Sequence, residues 1–442
     1  MFLEQVIIYG VVFAICGGII FYYLKSESKK SQLVAAKVSQ AKIDGLFEPV
    51  SLHPVIDLDS CIKSGACYAA CPEKDILGIV NGRATLINAS NCIGHGACFH
   101  ACPVEAISLV IGTEKRGVDL PHINEEFETN VEGIYIAGEL GGMGLIKNGV
   151  EQGQEAVNYM VKKGIPRQKD IYDLFIVGAG PAGISAALQS KKQGLNFKIV
   201  DQDTLGGTVY TFPRSKIVMT SPMDLPLHGK VKLYETSKTE LIALWEKVLS
   251  TNNISIQEHT KIESIDRTGS HFSIRDQKGN QYQAQRVLLA IGRRGTPRKL
   301  GIPGEMTEKV AYRLLEPELI NGEEIMVVGG GDSAVESAML LMDQNEVILS
   351  YRKEAFSRIK PKNRERIQAA IEAGKIKMAF NTVPVEITPK SILLKNNLTE
   401  QVEEIPNHRI YIFAGGELPT GFLKNSGIEI SKRFGYTVKQ YK

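Results

Sequence analysis

The sequence predicts an α/β protein with two dinucleotide-binding domains, a small α+β domain carrying metal clusters, and one membrane-spanning helix. Three observations predict it. Two strand–glycine turn–helix units stand at 173–201 and 325–353, a cysteine cassette occurs twice between 61 and 103, and residues 6–24 form an uncharged apolar run. A chain of 442 residues is long for one domain. Its charge is nearly balanced, 52 basic against 49 acidic residues, so composition gives no footprint for nucleic-acid binding.

The apolar run VIIYGVVFAICGGIIFYYL meets the length needed to cross a bilayer, and Tyr22 and Tyr23 stand where an interfacial belt belongs. Glu4 precedes it, and Lys25, Lys29, Lys30, Lys37 and Lys42 follow. That asymmetry places the bulk of the chain on the cytoplasmic side of the cell inner membrane, as a single-pass protein. A cleaved signal peptide fits less well, because no basic stretch leads and no small-x-small site follows. A buried core helix is the competing reading.

CIKSGACYAACP at 61–72 and CIGHGACFHACP at 92–103 each read Cys-x5-Cys-x3-Cys-Pro and hold six of the seven cysteines. Six clustered cysteines with this spacing read as metal ligands and not as a disulfide framework. The pair resembles the cluster-binding runs of bacterial two-cluster ferredoxins, with Ser64 and His95 standing at the second cysteine position. In that family each half lends a ligand to the other's cluster. The resemblance therefore implies one site from Cys61, Cys67 and Cys102 and another from Cys92, Cys98 and Cys71. Either the sites are [3Fe–4S], or Ser64 oxygen or His95 nitrogen completes a [4Fe–4S] cluster. Imidazole in place of thiolate would raise a cluster's potential. Zinc is the competing metal.

In DLFIVGAGPAGISAALQSKKQGLNFKIVD a buried strand leads into Gly178, Gly180 and Gly183, then a helix and a second strand ending at Asp201. The glycines permit a tight turn and close approach of a pyrophosphate, with Pro181 and Ala182 at the helix start. The helix N-terminus favours the phosphates, and the acid accepts ribose hydroxyls. The second unit, at 325–353, turns through Gly329, Gly331 and Ala334, with Asp332 and Ser333 between them. No acid ends its second strand. Arg352 and Lys353 stand there, with Arg358 nearby, which suits the 2′-phosphate of NADP better than NAD.

Two such units, the LLAIGRR segment at 288–294, and the segments LGGTVYTFP at 205–213 and YRKEAFSRIKPKN at 351–363 resemble two-domain flavoproteins of the thioredoxin reductase group. The bacillithiol-disulfide reductase branch is the nearest resemblance. It implies FAD on the first domain, with Gly206, Gly207 and Thr208 near it, NADP (or NAD) on the second, and a homodimer. In that family a strand–turn–helix closes the flavin domain at the C-terminal end. Here TNVEGIYIAGELGGMGLIKNGVEQGQEAV appears at 129–157, before the first unit, which reads as a circular permutation. Gly138 and Glu139 would then contact flavin. A fragment of a second, degenerate flavin domain is the alternative.

The expected domains are an anchor at 1–25, a linker at 26–50, the ferredoxin-like domain at 51–113 and a permuted closing segment at 114–165. A Rossmann-like FAD domain at 170–295, a Rossmann-like NAD(P) domain at 296–415 and a return to the FAD domain at 416–442 complete the chain. No cysteine lies beyond Cys102, so the flavoprotein part carries no redox-active thiol. This opposes disulfide reduction and leaves a membrane-anchored NAD(P)H oxidoreductase. It passes electrons between NAD(P)H, FAD and two iron–sulfur clusters, with a quinone, ferredoxin or cytochrome as further acceptor or donor. No side chain is required as catalytic acid, base or nucleophile. A non-catalytic redox sensor is the rival from another class.

Overall fold

The computed structural model describes residues 2–43, 47–49, 52–73, 75–92, 94–142, 144–212, 217–219, 222–233, 235–293, 297–356, 359–417 and 419–439. The chain folds as two compact units, one of residues 1–118 with 433–442, the other of residues 119–432.

The first unit begins with helix α1 (Phe2–Ile43), 42 residues without a break. The expected linker at 26–50 is therefore helical as far as Ile43. The reason is local: SESKKSQLVAAKVSQAKI holds no Gly or Pro and includes four Lys, three Ala and two Gln, all good helix formers. This half of α1 also has something to pack on. The hairpin of β2 (Leu77–Val80) and β3 (Arg83–Leu86) presents Gly78, where a Cβ would stand 2.6 Å from Val34 Cγ1. Lys37 pairs with Asp75 at 2.6 Å, and the Asn81 backbone N–H donates to Ser31 at 2.8 Å.

Strands β1 (Leu52–Ile56) and β4 (Ile107–Ile111) pair antiparallel, Leu52 opposite Ile111, and short helices α2 (Ala66–Ala70) and α3 (Ala97–Ala101) pack together between them in sequence. The last strand of the chain, Tyr436–Lys439, adds to the free edge of β4. Residues 416–442 thus do not return as a block to the flavin domain. The edge of β4 would otherwise leave a row of backbone donors and acceptors unpaired, and the terminal strand satisfies them.

The second unit has two α/β lobes. In the first, the sheet runs Ile262–Thr268, His271–Asp276, Gln281–Leu289, Tyr172–Val177, Phe197–Val200. The strand Ile134–Ile136, from the segment expected to be permuted, also pairs with Gln281–Leu289, parallel, Val287 beside Ile134. Helix α4 (Ile146–Lys163) then lies against α5 (Pro181–Lys192). Its buried face, Gly149, Val150, Gly153, Ala156, Val157 and Met160, follows helical periodicity. The approach is close: a Cβ on Gly153 would stand 2.1 Å from the carbonyl oxygen of Ala182. Ser185 donates its hydroxyl to the Val150 carbonyl at 2.6 Å across the same contact. Near the other end of the chain, α9 (Thr420–Asn425) buries Leu423, and with Ile428 it joins the core around Phe175, Val287 and Leu289.

The second lobe is a five-stranded parallel sheet in the order Val310–Ala311, Arg409–Ile412, Glu324–Val328, Glu346–Tyr351, Ile376–Phe380. An antiparallel three-stranded sheet over 382–406 adjoins it in sequence. The chain crosses between lobes at Pro297 and Gly416, which form a bridge with each other. Arg313 and Asp203 join the lobes through a 2.8 Å ion pair.

If α4 is held by its glycines, Gly153→Ala must push the helix off α5. That overpacking should cost about 1–3 kcal/mol. Gly149→Ala, whose Cβ would be an ordinary 3.6 Å from Ala182 N, should be neutral or stabilising by up to about 1 kcal/mol. Thermal unfolding followed by fluorescence of Trp245, the single tryptophan, which is fully buried, checks both.

Candidate functional site

In the first lobe the strand Tyr172–Val177 runs through the core and ends at Gly178, where a Cβ would collide with the Ala290 carbonyl at 2.5 Å. A Cβ on Gly183 would lie 1.8 Å from the Gly178 oxygen, so the first turn of α5 packs on the loop itself. Gly180, the N-cap of α5, faces open space, and Pro181 occupies the first helical position. A closed turn with one open glycine at a helix N-terminus is an arrangement that suits a pyrophosphate.

Asp201 is buried at 7% exposure. Its carboxylate accepts the Ala179 N–H at 2.6 Å and the Asp203 N–H at 2.8 Å. Burial raises its carboxyl above the ordinary range, against those two hydrogen bonds. The acid expected at the ribose thus also ties the cradle together, with lone pairs left over for a hydroxyl. Gly206 and Gly207 bring their loop over the cradle: the Gly206 N–H donates to Ala179 at 2.9 Å, and a Cβ on Gly207 would stand 3.3 Å from Gly180 Cα. Thr208 follows, half-buried. Under this loop lies Trp245, its ring 3.3 Å from a Cβ built on Gly206.

Gly138 sits at the same cradle. Its φ of 85° with ψ of −153° is glycine territory, and a Cβ there would be 3.1 Å from the Ala182 Cβ. Its N–H donates to Gln152 Oε1 at 2.8 Å, so α4 sets the loop that it follows. Glu139 is half-buried beside Arg293. Burial lowers the Arg293 guanidinium below its usual value, and Glu139 and Asp119 pull it back up. Gln152 and Arg293 were not singled out from sequence. Both lie inside segments that were, but nothing in a single sequence tells a hydrogen-bonding glutamine from a surface one.

In the second lobe a Cβ on Gly329 would meet the Phe413 carbonyl at 2.6 Å, and one on Gly330 would enter the Tyr351 ring. Gly331 caps α7 (Asp332–Leu341) and opens to solvent, as Gly180 does. Asp332 Oδ1 accepts the Lys360 N–H at 2.9 Å and Asn363 Nδ2 at 2.8 Å, while Ser333 is exposed and Ala334 buried. Arg352 and Lys353 follow the strand Glu346–Tyr351 with exposed side chains. Their backbones are pinned, the Arg352 carbonyl by Asn397 and the Lys353 carbonyl by the Asn381 N–H. Two exposed cations at the end of the second strand of a dinucleotide unit suit a 2′-phosphate. Arg358 lies outside the described residues.

In the first unit a small pocket gathers Cys61, Cys67, Cys102 and Ser64 with Ile56, Val104 and Ile107. Cys71, Cys92 and Cys98 lie close enough for their charges to act on one another. The pocket holds the three cysteines that the ferredoxin resemblance assigns to one site, and Cys67 also lies close enough to act on Cys71 and Cys98. Burial pushes the Cys98 thiol up to about 12 and the Cys92 thiol up to about 11. Such thiols ionise only when a cation replaces the proton. His95 is also held below its usual value by burial, with Glu73 opposing. Both its ring nitrogens are out of solvent with no hydrogen-bond partner among the described residues, which is what a metal ligand looks like without its metal. Among the described residues no three His, Cys, Asp or Glu side chains converge on a point that would hold a single ion.

Comparison with known proteins agrees. Residues 53–103 match a 4Fe-4S dicluster domain. A ferredoxin–NADP reductase of Ignicoccus hospitalis is 31% identical over 219 residues, 49% of this chain and 67% of that protein. The bacilliredoxin reductase Bdr of Bacillus subtilis is 24% identical over 265 residues, 59% of this chain and 82% of its own. Among solved structures, the bacillithiol disulfide reductase Bdr of Bacillus cereus superposes with a TM-score of 0.52 at 23% identity, covering 62% of this chain and 86% of that one, a likeness of fold. Residues 175–440 match the pyridine nucleotide-disulphide oxidoreductase family. The chain belongs to that family, as an FAD-dependent NAD(P)H oxidoreductase carrying a 4Fe-4S dicluster domain.

Proposed function

We propose that this protein carries electrons between NADPH and a one-electron acceptor at the membrane, through FAD and two iron–sulfur clusters, and that it reduces no disulfide. The observation that carries the reading is the cysteine distribution. All six cassette thiols lie between 61 and 102, and none lies in the flavoprotein part, so the family's disulphide chemistry has no thiolate there. A flavin exchanges electrons in pairs with a nicotinamide and singly with clusters, so the two cofactor types join two-electron to one-electron chemistry. The relatives named ferredoxin–NADP reductases support this, since here a ferredoxin-like domain belongs to the same chain.

The chain's own residues act by placement. The Gly178–Gly183 turn and the N-terminus of α5 would hold the FAD pyrophosphate, with Asp201 at the ribose and the Gly138–Glu139 turn beside it. Arg293, half-buried near Glu139, keeps a positive charge there and favours electron-rich states of whatever binds. The α7 cradle with Arg352 and Lys353 would hold NADPH, and the two cysteine triads would hold the clusters.

The apolar half of α1 supports anchoring. Phe13, Phe21 and Tyr22 are 84%, 68% and 76% exposed, a surface that soluble proteins rarely leave bare and a bilayer covers. The lysines that follow support the cytoplasmic orientation, and the acceptor is then a quinone or a protein that reaches the membrane surface.

Anaerobic titration with NADPH, followed by flavin absorbance and cluster EPR, tests the pathway. Flavin should bleach and clusters then become reduced. With Cys98→Ala, flavin bleaching should persist while NADPH-driven reduction of an added one-electron acceptor falls. Equal turnover in that variant would sink the pathway, and turnover of a low-molecular-weight disulfide would sink the exclusion. Removing both cations in Arg352→Ala/Lys353→Ala should raise KM for NADPH about ten- to a hundredfold, the worth of charge-assisted hydrogen bonds, and leave KM for NADH nearly unchanged. Deleting residues 2–24 should move the protein from the carbonate-washed membrane pellet to the supernatant. Retention in the pellet would overturn the anchor.

A further inference from the structure

The two cassettes share a backbone turn but not its surroundings. Around Ser64 the flanking Lys63 and Gly65 have φ of 64° and 72°; around His95, Gly94 and Gly96 have 76° and 74°. In the first turn a Cβ on Gly65 would meet nothing within 4 Å, and Ser64, although it lines the pocket of Cys61, Cys67 and Cys102, is exposed. The Ser64 hydroxyl accepts the Ala66 N–H at 3.4 Å, a local turn contact. The second turn is clamped. A Cβ on Gly94 would stand 2.8 Å from Leu52 Cβ and 3.1 Å from its carbonyl oxygen, and one on Gly96 would stand 3.3 Å from Leu109 Cδ1. Only glycine lets the loop lie so close to β1 and β4, and the clamp keeps His95 turned inward with both nitrogens unpartnered. Leaving such groups buried and unpaired costs about 1–3 kcal/mol. His95 stands three residues from Cys92 and three from Cys98, on the clamped loop between them.

We propose that His95 is the fourth iron ligand of the site made by Cys92, Cys98 and Cys71, and that Ser64 ligates nothing, so that the Cys61, Cys67, Cys102 site holds a three-iron cluster. The assignment deepens the reading given above and rests on it. It makes the pair unequal: imidazole removes one negative charge from the inner, four-iron site and raises its potential relative to an all-cysteine one.

The test uses the full-length protein purified without oxygen. Oxidised protein should show one [3Fe–4S] EPR signal per chain, lost in Ser64→Cys and kept in His95→Cys. Reduced protein should show a [4Fe–4S]+ signal with strong nitrogen coupling in pulsed EPR, lost in His95→Cys and kept in Ser64→Cys. His95→Cys should also shift that cluster to lower potential with its iron content intact. Nitrogen coupling absent from the wild type or surviving in His95→Cys, or a three-iron signal missing from the wild type, would overturn the assignment. Iron-loaded protein without the coupling refutes the ligand alone. Protein that binds FAD but no iron or sulfide refutes the cluster reading, and the ligand with it.

Discussion

The site in the flavoprotein unit depends on one close contact, the seating of α4 on the first turn of α5. Gly153 lets the two backbones meet where any side chain would strike the Ala182 carbonyl. Three consequences follow from that seating. Gln152, the neighbouring residue, holds the Gly138 N–H, the Val150 carbonyl receives Ser185, and Gly138 comes to rest on the Ala182 Cβ. The loop and the phosphate cradle are thus positioned by the same helix pair. A cradle built from 178–183 alone would have its glycines but no wall.

This contact also explains how a segment written ahead of its domain can serve it. The strand Ile134–Ile136 pairs in parallel with Val287–Leu289, and the Ala137 N–H donates to the Leu289 carbonyl at 3.1 Å. These bonds depend on spatial neighbours and not on chain order. Joining surface termini at one place and opening the chain at another leaves every one of them intact. The strand of this segment lies within the sheet of the 173–201 unit.

What could be read from sequence follows from how local each constraint is. Glycines that a turn requires, cysteines that a cluster requires and an apolar run are each written in adjacent residues. Gly178, Gly183, Gly138 and the cassettes were legible for that reason, and within the flavoprotein unit the structure brings Gly138 against the turn that holds Gly178 and Gly183. The helical stretch after residue 25 was not legible. Its composition of Lys, Ser, Gln and Ala suits a solvated linker equally well, and what decides is the hairpin beneath Val34. The terminal strand Tyr436–Lys439 has no pattern that tells which sheet edge it will meet, since that edge lies more than three hundred residues away in sequence. Gln152 and Arg293 were missed because their roles are set by the backbone and charge opposite them.

The same distinction between a local pattern and its surroundings separates Ser64 from His95. Sequence alone already favours His95, whose flanking Gly94 and Gly96 let it approach a metal, over Ser64, which can simply fill a cysteine's volume. The difference lies in what β1 and β4 do to the second loop. Leu52 and Leu109 crowd Gly94 and Gly96, and nothing comparable crowds Gly65. A side chain clamped inward can hold iron steadily, because its orientation is fixed before the metal arrives. One that stands in solvent must lose rotamer freedom to do so, and serine has a local backbone donor competing for its oxygen. Thus packing makes two cassettes that repeat each other in sequence structurally unequal, and the proposed difference in ligation rests on that inequality.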